Sequence, residues 1–102
     1  MWKVALLSTL ALAGCNCDRD ALYEALGKEA ALQLRSPSTA VFEPAESAVK
    51  LFIDDSSACY ISASGYVDSQ NGFGAIVRSN FMGTAKDEGG EIVVRHALII
   101  PL

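Results

Sequence analysis

Ala58-Cys59-Tyr60-Ile61-Ser62-Ala63-Ser64-Gly65-Tyr66-Val67-Asp68 is the stretch on which the reading of the fold turns. Cys59, Ile61, Ala63, Gly65 and Val67 form one set, small or apolar. Tyr60, Ser62, Ser64 and Tyr66 form the other. Side chains on a strand point to opposite faces in turn. A period of two therefore marks a strand with one face on a core and one toward water. Asn71-Gly72 follows, a strong hairpin signal. A two-residue loop would put Arg78 and Asn80 on the Cys59 face. A three-residue loop, Gln70 to Gly72, pairs Val67 with Ala75 and Gly65 with Val77. It brings Val77 and Phe81 to the core face and sends Arg78 and Asn80 outward. The three-residue loop is expected, with Gly72 left-handed in a bulge.

Outward from this hairpin the pattern continues. Ala48 to Ile53 is rich in strand formers, and Asp54-Asp55-Ser56-Ser57 reads as a solvated turn. It lacks the further oxygen ligands of a calcium loop. Asp87 to Gly90 is the next turn, and Glu91 to Ile100 the last strand, ended by Pro101. Simple alternation puts Ile92, Val94, Leu98 and Ile100 on one side, with Val93 and Ile99 on the other. Upstream, Leu22, Leu26, Ala30 and Leu34 recur every four residues, widened by Tyr23 and Ala25. This predicts an amphipathic helix of about 15 residues, capped by Asp18 or Asp20 and stopping near Arg35, before Pro37. Glu24 and Lys28 can pair on its wet face, and Gly27 is a weak point. The expected fold is α+β: one N-terminal helix packed across a three- to four-stranded antiparallel meander, a single domain over residues 19–102.

The first residues have another character. Met1-Trp2-Lys3 carries one positive charge, and Val4 to Ala13 is apolar except for Ser8-Thr9. A run of about ten residues is too short to span a bilayer, which takes roughly 20. It fits the apolar part of a secretory signal. Leu12-Ala13-Gly14-Cys15 ends the run. These four residues match the pattern of bacterial lipoprotein signals at every position. The resemblance implies cleavage between Gly14 and Cys15, a diacylglyceryl thioether on Cys15, and a fatty acyl group (palmitate or similar) on its amine. Residues 1–14 would then be the signal peptide and 15–18 a tether. Asn16 stands where an Asp usually signals inner-membrane retention, which implies the periplasmic face of the outer membrane in a two-membraned host. No cofactor is expected beyond the lipid on Cys15.

Of the cysteines Cys15, Cys17 and Cys59, two remain if Cys15 takes lipid. That even count in an oxidising compartment suits a Cys17–Cys59 disulfide, with two free thiols as the alternative. No Cys/His cluster suggests a metal site. Without Lys3 the chain has seven basic and twelve acidic side chains. The acidic balance, with no basic stripe, argues against nucleic acid and against a polybasic membrane patch.

Two stretches resemble motifs of small uncharacterised domains of bacteria and phages. One is Leu34-Arg35-Ser36-Pro37-Ser38-Thr39-Ala40-Val41-Phe42. The other is Gly65-Tyr66-Val67-Asp68-Ser69-Gln70-Asn71-Gly72-Phe73-Gly74-Ala75, with Arg78 and Phe81. The resemblance implies a helix-plus-sheet domain behind a signal or anchor, and no activity. Such domains often carry another Cys after the last Phe. Here the chain reads Phe81-Met82-Gly83, a departure that favours Cys17 as the partner of Cys59.

His96 is the single histidine and has no Ser or Cys nucleophile beside it in sequence. Ser64-Gly65 lacks the preceding Gly of a nucleophile elbow, and Gly72-Phe73-Gly74 lacks the third Gly of a dinucleotide loop. No catalytic constellation emerges, and a non-enzymatic role is expected. Tyr60, Tyr66, Arg78 and Asn80 share the outer sheet face in the expected register. Tyr and Arg are common interface anchors, so these four are the candidate partner-binding residues, with the tip Asp68 to Phe73 as another contact. The expected function is a membrane-anchored lipoprotein that binds an envelope protein or component. Exclusion of rival phages is one form of it. The alternatives are a structural subunit of an envelope assembly complex and an inhibitor of a periplasmic enzyme.

Overall fold

The computed structural model describes residues 17–101. The expected signal peptide, its expected cleavage site Gly14–Cys15 and the expected lipid-attachment residue Cys15 lie outside the described residues. The elements run α1 (Arg19–Ala31), a 3-10 turn (Pro37–Thr39), β1 (Val41–Phe42), α2 (Ala45–Ala48), β2 (Val49–Asp55), β3 (Ala58–Gln70), β4 (Ile76–Glu88) and β5 (Glu91–Pro101). The architecture is α+β: one main helix on a five-stranded antiparallel sheet. β3, β4 and β5 form a meander. β1 and β2 share the remaining lane, each pairing with a different half of β3.

Asp18 caps α1. Its carboxylate accepts from the Asp20 and Ala21 N–H groups at 2.9 and 3.3 Å, donors that the first turn cannot satisfy. The Glu24–Lys28 pair forms at 3.9 Å on the exposed side. The helix ends four residues before the expected stop. Leu32, Gln33 and Leu34 donate to the carbonyls three residues back, so the chain tightens and leaves the helical path. Leu34 drops out of the helical stripe but still packs at the edge of the core.

Leu22, Leu26, Ala30 and Ala31 meet Ala48, Ile61, Ala63, Val67, Phe81 and Ala85 in the core. Each large side chain buried here contributes roughly 1.5–3 kcal/mol. Phe81 is the hub, with Phe42 edge-on at 5.0 Å and Tyr23 at 6.1 Å between ring centroids. Gly83 lies beneath Leu26 of α1. A Cβ there would run into Leu26 and the His96 carbonyl.

Register and loops correct several expectations. The core and solvent faces of β3 are as the alternation implies, but the hairpin loop is longer. Val67 pairs with Ser79 and Gly65 with Phe81, and the ladder ends at Gln70–Ile76. Asn71–Ala75 forms the loop, and the left-handed residue is Gly74 (φ 83°), not Gly72. The Asn71 carbonyl side chain accepts from Phe73 N (2.8 Å) and Ala75 N (3.1 Å), which stabilises the wider loop. The shift moves each partner by an even number of places, so Arg78 and Asn80 keep the outer face.

β2 runs on through Asp55, with a bulge near Lys50, so its turn is only Ser56-Ser57. The Asp55 carboxylate holds that turn through the Ser57 and Ala58 N–H groups. In β5 a bulge at Arg95 breaks the alternation. Ala85 pairs with Val94 and Thr84 with His96, leaving Arg95 extra. Ile92, Val94, Leu98 and Ile100 therefore do not share a side. Val94, Ala97 and Ile99 pack on the core, while Leu98 and Ile100 face out.

Cys17 and Cys59 are joined by a disulfide, with 5.5 Å between their Cα atoms. Asp18, which follows Cys17 directly, caps α1.

Candidate functional site

The outer sheet face carries the candidate residues, and the register decides which of them meet. Tyr66 pairs directly with Asn80, and Asp68 with Arg78. The Arg78 guanidinium donates from Nε to Asp68 Oδ1 at 2.8 Å and from Nη2 to Oδ2 at 3.0 Å. This two-pronged fork fits the flat carboxylate and orients the guanidinium. Its carbon then lies 3.9 Å from the centre of the Tyr66 ring, a cation–π stack. The hydrogen bonds from Arg78 hold the Asp68 carboxyl below the usual carboxylate range. The same pairing raises Arg78.

Glu43 lies beside this group, bonded to the main chain of Tyr66. The chain after β1 stays beside β3, with Glu43 N–H donating to the Tyr66 carbonyl at 3.0 Å. Its carboxylate accepts from the Tyr66 N–H at 3.1 Å and fills the space that Gly65 leaves. The Ser47 hydroxyl, then this N–H, hold the Glu43 carboxyl below its ordinary value. Behind it the Tyr23 hydroxyl donates to the Glu43 carbonyl. Burial first, and then the Glu43 charge, push the Tyr23 phenol up to about 12. The phenol therefore stays protonated and remains a donor.

Tyr60 does not belong to this group. It pairs with Lys86, six residues along β3 from Tyr66, or about 20 Å at roughly 3.3 Å per residue. It stands near the disulfide, beside a shallow hollow lined by Ile53, Lys86 and Glu88. The structure thus brings together Tyr66, Arg78 and Asn80 and separates Tyr60. Asp68 and Glu43 are additions. Asp68 continues the Tyr66 alternation and was readable as an outer residue, but its pairing with Arg78 needs the correct loop. Nothing local in the sequence points to Glu43, which arrives through the return of β1.

Next to this polar group the outer face is apolar. Met82 pairs with Leu98 and Asn80 with Ile100, and all three apolar side chains are exposed. At the hairpin tip Phe73 is 97% exposed. His96 lies on exposed β5 opposite Thr84. Among the described residues no group of His, Cys, Asp and Glu is arranged to hold a metal ion, and no helix is long and apolar enough to cross a membrane. Comparison with protein families, curated proteins and solved structures finds no match.

Proposed function

We propose that this chain is a lipid-anchored envelope protein that binds another envelope protein through its outer sheet face and does no catalysis. Leu12-Ala13-Gly14-Cys15 behind an apolar leader carries the reading. The Cys17–Cys59 disulfide supports it, because such bonds persist in oxidising, extracytoplasmic compartments. A lipid on Cys15 would stand two residues from that disulfide, so the bilayer would hold the domain by a very short leash. Two or three acyl chains anchor stably where one is marginal.

The partner face in this reading is Tyr66, Arg78 and Asn80 with the adjoining Met82, Leu98 and Ile100: an oriented aromatic–Arg pair beside exposed apolar area. Such a composition suits a protein interface.

The decisive experiment is the intact, non-reduced mass of the protein extracted from bacterial membranes. The expected mass shows loss of 14 residues, gain of acyl mass on Cys15 and loss of two hydrogens. An unprocessed or unlipidated mass overturns the anchor. For the face, Tyr66→Ala with Arg78→Ala is expected to leave thermal stability nearly intact and to abolish recovery of the partner after cross-linking in the envelope. Unfolding of the double variant would instead assign these residues to the scaffold.

A further inference from the structure

β5 is the outermost lane of the sheet, and among the described residues no strand pairs with its free side. It is 11 residues long and rich in Ile, Val and Leu. Such an edge recruits further strands unless something covers it. One side chain stands on it. Gln33, just past the end of α1, donates from Nε2 to the Ala97 carbonyl at 2.6 Å and accepts at Oε1 from the Ile99 N–H at 3.0 Å. A primary amide offers the same donor and acceptor as a peptide unit. Gln33 therefore occupies two main-chain groups that point away from β4, toward any neighbouring strand.

Those two groups are complementary to each other in a second copy. Let two β5 strands meet antiparallel about a two-fold axis at Leu98. Ala97 of each copy then faces Ile99 of the other, and each Ile99 N–H reaches the opposite Ala97 carbonyl. Leu98 meets Leu98 on the outer face, with Ile100 beside His96. Leu98 is 49% and Ile100 41% exposed, so the contact would cover apolar surface. The bulge at Arg95 bends the strand at the other end of this register and confines pairing to its C-terminal half.

We propose that β5 is a latent edge for pairing with a second copy of this chain, and that Gln33 is the latch that keeps it closed. The latch holds by two hydrogen bonds from an exposed side chain, so it can be released without unfolding the core.

The test uses the full-length chain expressed in bacterial cells, with Leu98→Cys as reporter. In the two-fold register the two thiols lie directly opposite, within disulfide reach. With Gln33 intact, Leu98→Cys is expected to remain monomeric on non-reducing gels after mild oxidation. Adding Gln33→Ala is expected to raise the dimer fraction by roughly tenfold or more. Ile92→Cys with Gln33→Ala stays monomeric, because position 92 lies beyond the bulge. Equal dimer at position 98 with and without Gln33, equal cross-linking at 92 and 98, or no dimer from a folded Gln33→Ala variant overturns the proposal. If Gln33→Ala fails to fold, Gln33→Glu replaces it. That variant keeps the length and the acceptor but sets a carboxylate against the Ala97 carbonyl, and the same outcomes decide.

Discussion

The two ends of the sheet are built differently. At one end Cys59 is bonded to Cys17, Asp18 caps the helix, and Glu88 draws in both Arg95 (2.6 Å) and Lys86 (2.9 Å). The disulfide ties the start of α1 to β3, and Arg95 ties β5 to Glu88 on β4, while the cap and the Lys86–Glu88 pair act locally. At the other end, about 40 Å away at roughly 3.3 Å per residue, the loop Asn71–Ala75 is held mainly by its own Asn71. It is firmly shaped, yet it presents Phe73 to solvent. One end is constructed to be held and the other to be shown. In the lipoprotein reading the held end faces the bilayer and the tip points away from it.

The largest expected effect is at the held end. Cys17→Ser frees a span of 42 residues and is expected to cost about 4 kcal/mol, read as a fall in Tm under non-reducing conditions. A loss below about 1 kcal/mol would mean that the two ends do not differ in this way. Between the ends, Gly27→Ala is expected to stabilise by up to about 1 kcal/mol. A Cβ there meets the Phe42 ring at 3.6 Å, an ordinary contact, so the helix gains without crowding. A lower midpoint in urea would show that α1 has less room over the sheet than its packing indicates.

At the tip, Phe73→Ser is expected to change stability by no more than about 0.5 kcal/mol, since the side chain buries almost nothing. A larger loss would make the tip part of the scaffold. The mildest effect is acid. Arg78 holds Asp68 below the usual carboxylate range, Arg95 then Lys86 do so for Glu88, and Ser57 does so for Asp55. Depressed values mean stability present above the unfolded pKa and lost as pH falls through the folded one. Tm should therefore be level from neutral pH to about 5 and decline below roughly 4, less so in high salt. A Tm that rises on acidification would contradict these pairings.

Much of the fold was legible because its signals are local. The Ala58–Asp68 alternation, the capped helix stripe and the turn signals at Asn71-Gly72 and Asp87 to Gly90 each depend on a few neighbours along the chain, though the second turn shrinks to Gly89-Gly90 because Asp87 and Glu88 pair with Ile92 and Glu91. The solvent face of β3 and the outward placing of Arg78 and Asn80 followed from them. The missed features depend on groups distant in sequence. The loop length depends on how Asn71 satisfies its neighbours once β3 and β4 have extended to their full lengths. Just past the end of α1, Gln33 bonds to β5, 64 residues away.

The sequence by itself determined the class of fold, the core face of β3, the cysteine count that allows one disulfide, and the leader pattern on which the proposed anchor rests. Periodicity, capping and composition are properties of neighbouring residues, and they survive without knowledge of the whole. Only the tertiary structure decided that Tyr60 stands apart from Tyr66, that Asp68 joins Arg78 and Glu43 bonds the Tyr66 main chain, that a bulge at Arg95 turns Leu98 and Ile100 outward, and that Gln33 bonds the free edge of β5. Each of these is set by register and by the return of distant segments. A shift of one residue moves a whole strand's side chains to the opposite face, and nothing local to the strand records it.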